Sequence, residues 1–176
     1  MGTKLLKFTS LFLLLTTLTG CPGEEDCFDI GSTARVDDLL ELTPLQTSYN
    51  QGDIITLKVE IPTTNNYFGE TLNLFERTND FEAQLTTSSN LFANNQLAFI
   101  KGSQGNETNW FNTPYNPENG KYELEIKITL NRLGNYSFIT NDSFHFQGSS
   151  KCNRYRLDTN ILHSEPGPGV IEFTVE

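Results

Sequence analysis

The segment KYELEIKITL, residues 121–130, alternates apolar and polar side chains along its whole length, which constrains the fold more than any other feature. A period of two residues is typical of an antiparallel strand with one face buried and the other in water. The sequence therefore predicts a half-buried β-strand here. Its apolar face consists of Tyr122, Leu124, Ile126, Ile128 and Leu130.

Two further segments, DIITLKVEI at 53–61 and VIEFTVE at 170–176, follow the same period. Turn-rich pieces such as YNQGD, NPENG and RLGN separate the apolar runs, and no segment sustains the 3.6-residue period of an amphipathic helix. Short strands between such turns predict an all-β fold, an antiparallel β-sandwich. Weaker strand candidates are residues 35–43, 71–77, 95–101, 135–140, 143–147 and 153–162.

The composition is that of a folded, acidic domain. The 176 residues are the length of one domain with enough material for a sizeable core. Thirteen Phe and six Tyr exceed what a disordered segment contains, and the mean hydropathy of -0.38 excludes a polytopic membrane protein. The net charge is -10, and no Lys/Arg cluster offers the basic face that nucleic acid requires. We therefore expect no nucleic-acid partner.

The first twenty residues, MGTKLLKFTSLFLLLTTLTG, have the three parts of a secretory signal peptide. Lys4 and Lys7 form the basic part, residues 8–18 form the apolar part, and small residues precede Cys21. The apolar run is shorter than the roughly 20 residues that a membrane-spanning helix needs. We therefore predict that residues 1–20 are removed, which changes the net charge from -10 to -12.

The sequence Leu18-Thr19-Gly20-Cys21 resembles the lipobox of bacterial lipoproteins, in which the signal peptidase cuts directly before the cysteine. The resemblance implies that Cys21 carries diacylglycerol on its thiol and a further acyl chain on its new amino group. Several acyl chains hold a protein on a bilayer, where a single myristoyl chain binds only marginally. After ordinary cleavage Cys21 would instead be a third disulfide cysteine or a free thiol.

Residues 21–32 are expected to form the lipidated N-terminus and a short tether, followed by one β-domain at 33–176. No Asp follows Cys21 directly, so the inner-membrane retention signal of some Gram-negative lipoproteins is absent. The acidic run Glu24-Glu25-Asp26 resembles the export signal of Bacteroidetes-type lipoproteins that reach the cell surface. The resemblance implies a lipid-anchored outer-membrane protein, with surface display and a periplasmic position both open.

Once Cys21 is assigned to lipid, Cys27 and Cys152 remain as an even pair in a compartment where disulfides persist. We therefore expect them to bond to each other, and such a bond would close a loop of more than a hundred residues. In the chain-entropy model a loop of that length stabilises the fold by up to about 4–5 kcal/mol. Two free thiols or intermolecular pairing are the alternatives.

The stretch LNRLGNYSF, residues 130–138, resembles the corner between the fifth and sixth strands of immunoglobulin-like domains. The resemblance implies that Tyr136 is the corner tyrosine, whose hydroxyl bonds to backbone a few residues upstream while its ring packs in the core. Phe138 stands where antibody domains have a cysteine, so their inter-sheet disulfide is missing. The resemblance implies an immunoglobulin-like or related Greek-key sandwich.

Groups for catalysis or metal binding are scarce. His145, between two phenylalanines, is expected to face solvent, and His163 lies near a turn; the two are not at metal-ligand spacing. Glu123 and Glu125 project from one strand face roughly 7 Å apart, close to glycosidase separations, but alternation makes that face the solvated one. We therefore expect neither an enzyme nor a bound metal or cofactor.

The stretch KGSQGNETNWFNTPYNPENG, residues 101–120, is expected to be a long loop, and long loops are often functional. It holds Trp110, Phe111 and Tyr115 among several amide side chains, a combination that suits a sugar ring or a protein partner. These three aromatics are the ligand-binding candidates. Alternatively, Trp110 and Phe111 fold back to cover the edge of the sandwich.

These features predict a cell-envelope lipoprotein that acts as a non-catalytic binding module for a glycan or a surface protein. The second functional class is a structural accessory subunit of an outer-membrane complex, which would contact its neighbours through a sheet edge or face.

Overall fold

The computed structural model describes residues 31–148, 153–161 and 170–176, and these ranges consist mainly of β-strands, so the all-β prediction is confirmed. The described part of the chain holds one short helix, α1, at Leu74–Thr78. The strands are β1 Ser32–Arg35, β2 Leu40–Thr43, β3 Ser48–Tyr49, β4 Ile54–Pro62, β5 Thr64–Asn65, β6 Leu72–Asn73, β7 Glu82–Ser89, β8 Gln96–Lys101, β9 Ser103–Gln104, β10 Trp110–Asn116, β11 Lys121–Thr129, β12 Gly134–Gln147, β13 Arg154–Thr159 and β14 Val170–Val175.

Twelve of these strands form one curled sheet, whose main path runs β1-β13-β12-β7-β10-β11-β4-β2. At its sides β14 pairs with β12 and β3, β8 pairs with β11, and β9 pairs with β10, while β5 and β6 pair only with each other. Strand β10 joins two halves of the sheet, one that contains β7 and one that contains β11. Its residues from Trp110 to Pro114 pair with β7, whereas Tyr115 and Asn116 pair with β11. The sheet therefore curls at β10.

The concave side of this sheet encloses one hydrophobic core to which both halves contribute. Tyr122 of β11 meets Phe146 of β12 with ring centroids 5.1 Å apart, although β10 and β7 separate the two strands in the sheet. Phe92, after β7, contacts Phe111 of β10 and Phe138 of β12 at 4.7 and 5.7 Å. Each fully buried apolar side chain contributes roughly 1.5–3 kcal/mol relative to an exposed one.

The strands with the strongest alternation are confirmed. The three segments at 53–61, 121–130 and 170–176 form β4, β11 and β14 within a residue or two of their predicted ends. The weaker candidates at 95–101 and 153–162 contain β8 and β13. The two candidates at 135–140 and 143–147 belong to one strand, β12. Its pairing with β7 shifts between Ile139 and Ser143, and this irregularity makes the strand look like two separate runs in the sequence.

Two strand predictions are wrong in part. Residues 71–77 hold only the two-residue strand β6, because the side chain of Asn73 accepts a hydrogen bond from the Glu76 N–H and caps helix α1. Residues 35–43 contain the end of β1 and then β2, separated by Asp38 with a φ of 64°. A positive φ interrupts a strand, and the alternation of side chains does not reveal it.

The hydrogen bond expected of a corner tyrosine is present at Tyr136. Its hydroxyl donates to the carbonyl of Arg132 at 2.8 Å, and its ring is buried and stacks on Phe173 with centroids 5.5 Å apart. The segment between β11 and β12 is thereby tied back to the strand that follows it. Tyr49 is held similarly, since its hydroxyl donates to the carbonyl of Pro44 at 2.6 Å.

Candidate functional site

The segment at 101–120 is not the long loop that the sequence predicts, because residues 110–116 form β10 and residues 103–104 form β9. Strand β10 is hydrogen-bonded to β7 and β11, so the part of the segment that carries all three aromatics lies inside the curled sheet. Its Asn and Pro residues are typical of turns, and its inward positions include Thr113, so the alternation is weak. This composition concealed the strand.

The three aromatics of this segment have different environments. Phe111 is fully buried and packs against Phe92 and Phe99, so its ring lies in the core and not at a surface. Trp110 is half-buried at the start of β10, opposite Thr86. Tyr115 is half-buried at the other end of the strand, so the structure does not bring the three candidates together at one surface.

Tyr115 belongs instead to a partly exposed aromatic cluster that the sequence did not reveal. Its ring stacks on Phe75 of α1 with centroids 4.0 Å apart and an interplanar angle of 19°. Phe81 meets the edge of Phe75 at 5.0 Å and is 64% exposed. The N–H of Tyr115 also donates to the Phe81 carbonyl at 2.9 Å, which fixes the two segments together. We call Phe75, Phe81 and Tyr115 the aromatic platform.

No periodicity could have identified Phe75 and Phe81 as members of this platform. Phe75 lies on a five-residue helix in a segment predicted to be a strand, and Phe81 follows the turn that begins at Asn79. Asn79 has a φ of 51°, and its N–H donates to the Phe75 carbonyl, which ends the helix and brings Phe81 back to Phe75. The contact depends on this turn.

A groove of about 320 Å³ lies beside Tyr115. Its polar groups come from Lys101, Asn116 and Glu123, and the remaining lining comes from Gly102, Pro114 and Pro117. Gly102 has a φ of 84°, and the carbonyl of Asn112 and the side chain of Leu124 occupy the space that a Cβ would need. The chain therefore passes this groove in a conformation and in a space that only glycine accommodates.

Glu123 is buried, although the alternation of β11 predicts that it faces water. Lys101 Nζ donates to its Oε1 at 2.7 Å and Asn116 Nδ2 donates to its Oε2 at 2.8 Å, so the neighbouring side chains cover the carboxylate. The hydrogen bond from Lys101 is the largest cause that lowers the pKa of Glu123, and Asn116 and Asn119 add to it. Glu123 is therefore a fixed anion whose two oxygens already accept hydrogen bonds.

The outer face of β4 and β11 carries a network of alternating charges. Glu60 lies directly opposite Glu123 in the sheet and binds Lys121 and Lys58 at 2.6 and 2.8 Å. The hydrogen bond from Lys121, followed by that from Lys58, lowers the pKa of Glu60 to about 2. The lysines offset the repulsion that two opposed carboxylates would otherwise have.

The second polar cluster lies on β12 and β13. His145 is half-buried between the inward-facing Phe144 and Phe146, and its Nε2 is 3.4 Å from Thr86 Oγ1. Ser143 Oγ donates to Asp158 Oδ1 at 2.7 Å. In this arrangement the hydroxyl is paired with a carboxylate and not with the imidazole, which a serine nucleophile would need as its base.

Several predicted sites lie outside the described residues. They are the lipidation site Cys21 and the two disulfide candidates Cys27 and Cys152; His163, to which the sequence assigns no site, also lies outside them. Within the described ranges, no group of three or more His, Cys, Asp or Glu side chains is arranged to hold a metal ion. The described residues also include no helix with the length and apolar character needed to cross a membrane.

The aromatic platform and its groove can offer a ligand two kinds of contact. The exposed faces and edges of the rings provide an apolar surface, and the lysine and asparagine at the groove provide hydrogen-bond donors. The platform rests on a short capped helix, on strand β10 and on the turn before β7, so the rings are held in place before a ligand arrives. Comparison of the chain with protein-family models, curated proteins and solved structures gives no match.

Proposed function

We propose that this chain is a lipid-anchored protein of the outer membrane whose β-domain is a non-catalytic module that binds a saccharide. The observation that carries the proposal is the half-exposed stack of Tyr115 on Phe75, with Phe81 64% exposed beside it. Large apolar side chains are usually covered in soluble domains, and an exposed, rigid aromatic cluster is typical of a contact surface.

A saccharide fits this surface because a sugar ring has an apolar C–H face and a rim of hydroxyl groups. The C–H face would stack on Tyr115 and Phe81, while Lys101 and Asn116 at the groove would meet the hydroxyls. Asn116 and Lys101 are oriented by their bonds to Glu123. The contact would therefore cost little side-chain entropy on binding.

The location rests on the N-terminal sequence. The basic, apolar and small-residue parts before Cys21, together with the lipobox resemblance, support a lipid anchor, and the acidic run after it supports export to the cell surface. A lipid-anchored domain on the cell surface would meet extracellular glycans directly. Cys27 and Cys152 would form a disulfide in that compartment.

We also propose that the curled sheet is an immunoglobulin-like sandwich. One half has the strand order β2-β4-β11-β8 and the other contains β7-β12-β14, which correspond in chain order to the A-B-E-D and C-F-G sheets of that fold. The bond from Tyr136 at the β11–β12 corner and the parallel pairing of β3 with β14 support the same assignment. NMR contacts between Ser48 and Thr174 are expected, and their absence would count against it.

The anchor is tested by replacing Cys21 with Ser and fractionating the cells. Wild-type protein should partition into the detergent phase, whereas Cys21→Ser should keep its signal peptide uncleaved by the lipoprotein peptidase. A Cys21→Ser variant that is processed as the wild type is and still partitions into the detergent phase would contradict the lipid anchor at Cys21.

Saccharide binding is tested with a glycan array on the mature protein and on Phe81→Ala and Tyr115→Ala. Each substitution should weaken binding by more than about tenfold, since central aromatic contacts contribute about 2 kcal/mol or more. Leu133→Ala is the matched control, because Leu133 is 63% exposed and lies outside the platform. Phe81→Ala should keep the wild-type melting temperature.

Two results would overturn the saccharide proposal. In the first, the wild-type protein binds no glycan on the array. In the second, it binds a glycan with the same affinity in Phe81→Ala and Tyr115→Ala as in Leu133→Ala. A platform that instead captures an envelope protein in cross-linking would assign the surface to the second functional class, the accessory subunit.

A further inference from the structure

A second groove, separate from the aromatic platform, lies where the described chain begins. Its volume is about 320 Å³, and we call it the His145 groove. The start of β1 and the neighbouring strands β12 and β13 form its walls. The polar lining residues are Ser32, Thr33, His145, Gln147, Arg154 and Arg156.

The His145 groove brings two guanidinium groups together in a chain that carries a net charge of -10. They belong to Arg154 and Arg156, and Arg156 forms an ion pair with Asp158 beside the groove. Both arginines lie on the outward face of β13, two residues apart, with exposed side chains. Guanidinium groups prefer planar, bidentate contact with carboxylate or phosphate oxygens.

Arg156 is held in one orientation by its neighbours. Its Nε donates to Asp158 Oδ1 at 2.7 Å, and its Nη2 donates to Ser143 Oγ at 3.0 Å. Ser143 in turn donates to the same oxygen of Asp158 at 2.7 Å, so the three side chains form a closed set of hydrogen bonds. A guanidinium fixed in this way loses little conformational freedom when an anion binds its remaining N–H groups.

His145 reports on the charge of the groove. Burial lowers its pKa, and the positive charge of Arg156 lowers it further, while Asp158 opposes them. The neighbours on β7 are Gln84, opposite His145 in the sheet, and Thr86, whose hydroxyl is 3.4 Å from Nε2; neither is charged. An anion in the groove would offset the charge of Arg156, and the His145 pKa would then rise.

We propose that the His145 groove binds the phosphate group of an anionic lipid headgroup. The remaining N–H groups of Arg156, the imidazole of His145, the amide of Gln147 and the hydroxyls of Ser32 and Thr33 supply more donors than the two oxygens of a carboxylate accept, whereas a phosphate offers further acceptor oxygens. The assignment to lipid rests on the proposed anchor. Gly31 lines the groove and follows Cys21 by ten residues, so the anchored lipid lies within about 35 Å of it.

Such a contact would give the protein a second membrane signal beside its acyl chains. A basic residue near an anionic bilayer surface attracts the protein only weakly, so the groove would not hold the protein on the membrane alone. It would instead fix which side of the domain faces the bilayer, namely the side formed by β1, β12 and β13.

The test uses the mature lipoprotein in nonionic detergent, with the short-chain lipid dihexanoylphosphatidylglycerol as the probe and NMR of the histidine ring as the readout. His163→Gln assigns the two imidazole signals. The lipid should raise the His145 pKa by about 0.5–1 unit. Arg156→Gln should weaken the affinity for the lipid by about tenfold or more. Lys127→Gln, which removes an exposed charge from β11, is the matched control and should bind as the wild type does.

Three results would overturn the proposal: a His145 pKa that the lipid does not change, an equal affinity for lipid in Arg156→Gln and Lys127→Gln, or inorganic phosphate binding as tightly as the lipid. A change of the lipid-free His145 pKa on combining Glu24→Gln, Glu25→Gln and Asp26→Asn would assign the groove to the acidic tether instead. Mass spectrometry of the mature protein tests the anchor separately, because the short-chain lipid reports on the groove whether or not Cys21 is acylated.

Discussion

Asp142 is a buried acid whose replacement by asparagine should stabilise the fold at neutral pH. The residue lies in the irregular part of β12 and is fully buried, and neither of its oxygens makes a well-formed hydrogen bond within the described residues. Burial raises the pKa of Asp142 from 3.8 to about 8, and the nearby backbone of Ser88 offsets only part of the rise. The folded protein therefore keeps this carboxyl protonated at pH 7.

The magnitude follows from the difference between the two pKa values. At pH 7 the unfolded chain has lost this proton, and folding must take it up again, which costs about 1.4 kcal/mol for each pH unit above the unfolded pKa of 3.8. The cost at pH 7 is therefore about 4 kcal/mol. Because the folded pKa is raised, the stability that Asp142 contributes is complete below pH 3.8 and is lost as the pH rises through 8.

Urea unfolding of the wild type and Asp142→Asn between pH 4 and pH 9 measures this effect. The variant should be more stable by about 4 kcal/mol at pH 7 and nearly equal to the wild type at pH 4. Asp158→Asn is the control, and it should make the fold less stable at pH 7, which is the opposite change. Hydrogen bonds from Ser143 and Arg156 outweigh the effect of burial and lower the Asp158 pKa. A stability difference for Asp142→Asn that does not change with pH would refute the reasoning.

Three further substitutions test the packing of the sheet. Phe111→Ala should cost about 3–5 kcal/mol in urea unfolding, because the ring is fully buried between Phe92 and Phe99; a loss under about 1 kcal/mol would mean that β10 is not part of the core. Tyr136→Phe should cost about 1 kcal/mol by removing the bond to the Arg132 carbonyl, and an unchanged unfolding midpoint would contradict that bond. Gly102→Ala should lower the melting temperature, because its φ of 84° and the carbonyl of Asn112 exclude a Cβ; an unchanged temperature would contradict this backbone path.

The sequence predicted the strands whose burial is carried by apolar residues. Strands β4, β11 and β14 alternate Ile, Leu, Val or Phe with polar residues, so their faces are visible in the chain itself. Strand β7 was missed because its inward positions include Thr87 and Ser89, which the structure buries but which carry no hydrophobic signal. Whether such a residue lies inside depends on the neighbouring strands, and a single sequence does not contain that information.

The candidate site was predicted only in part for a similar reason. Tyr115 is one of the three ligand-binding candidates from the sequence, but its partners Phe75 and Phe81 come from a helix and a turn that lie more than thirty residues earlier. Glu123 was expected to face water because it lies on the polar face of β11, and alternation distinguishes only the two faces of a single strand. The cover over Glu123 comes from side chains of β8 and β10, so its burial follows from tertiary structure.

The measurement that tests the central claim most directly is an NMR titration of the aromatic ring signals with a glycan identified on the array. The account predicts that the ring signals of Tyr115, Phe75 and Phe81 shift in a saturable way. The ring signals of Phe111, which is enclosed in the core, should stay unchanged. Saturable shifts that leave Tyr115 and Phe81 unaffected and appear elsewhere on the domain would contradict the claim that the aromatic platform is the binding site.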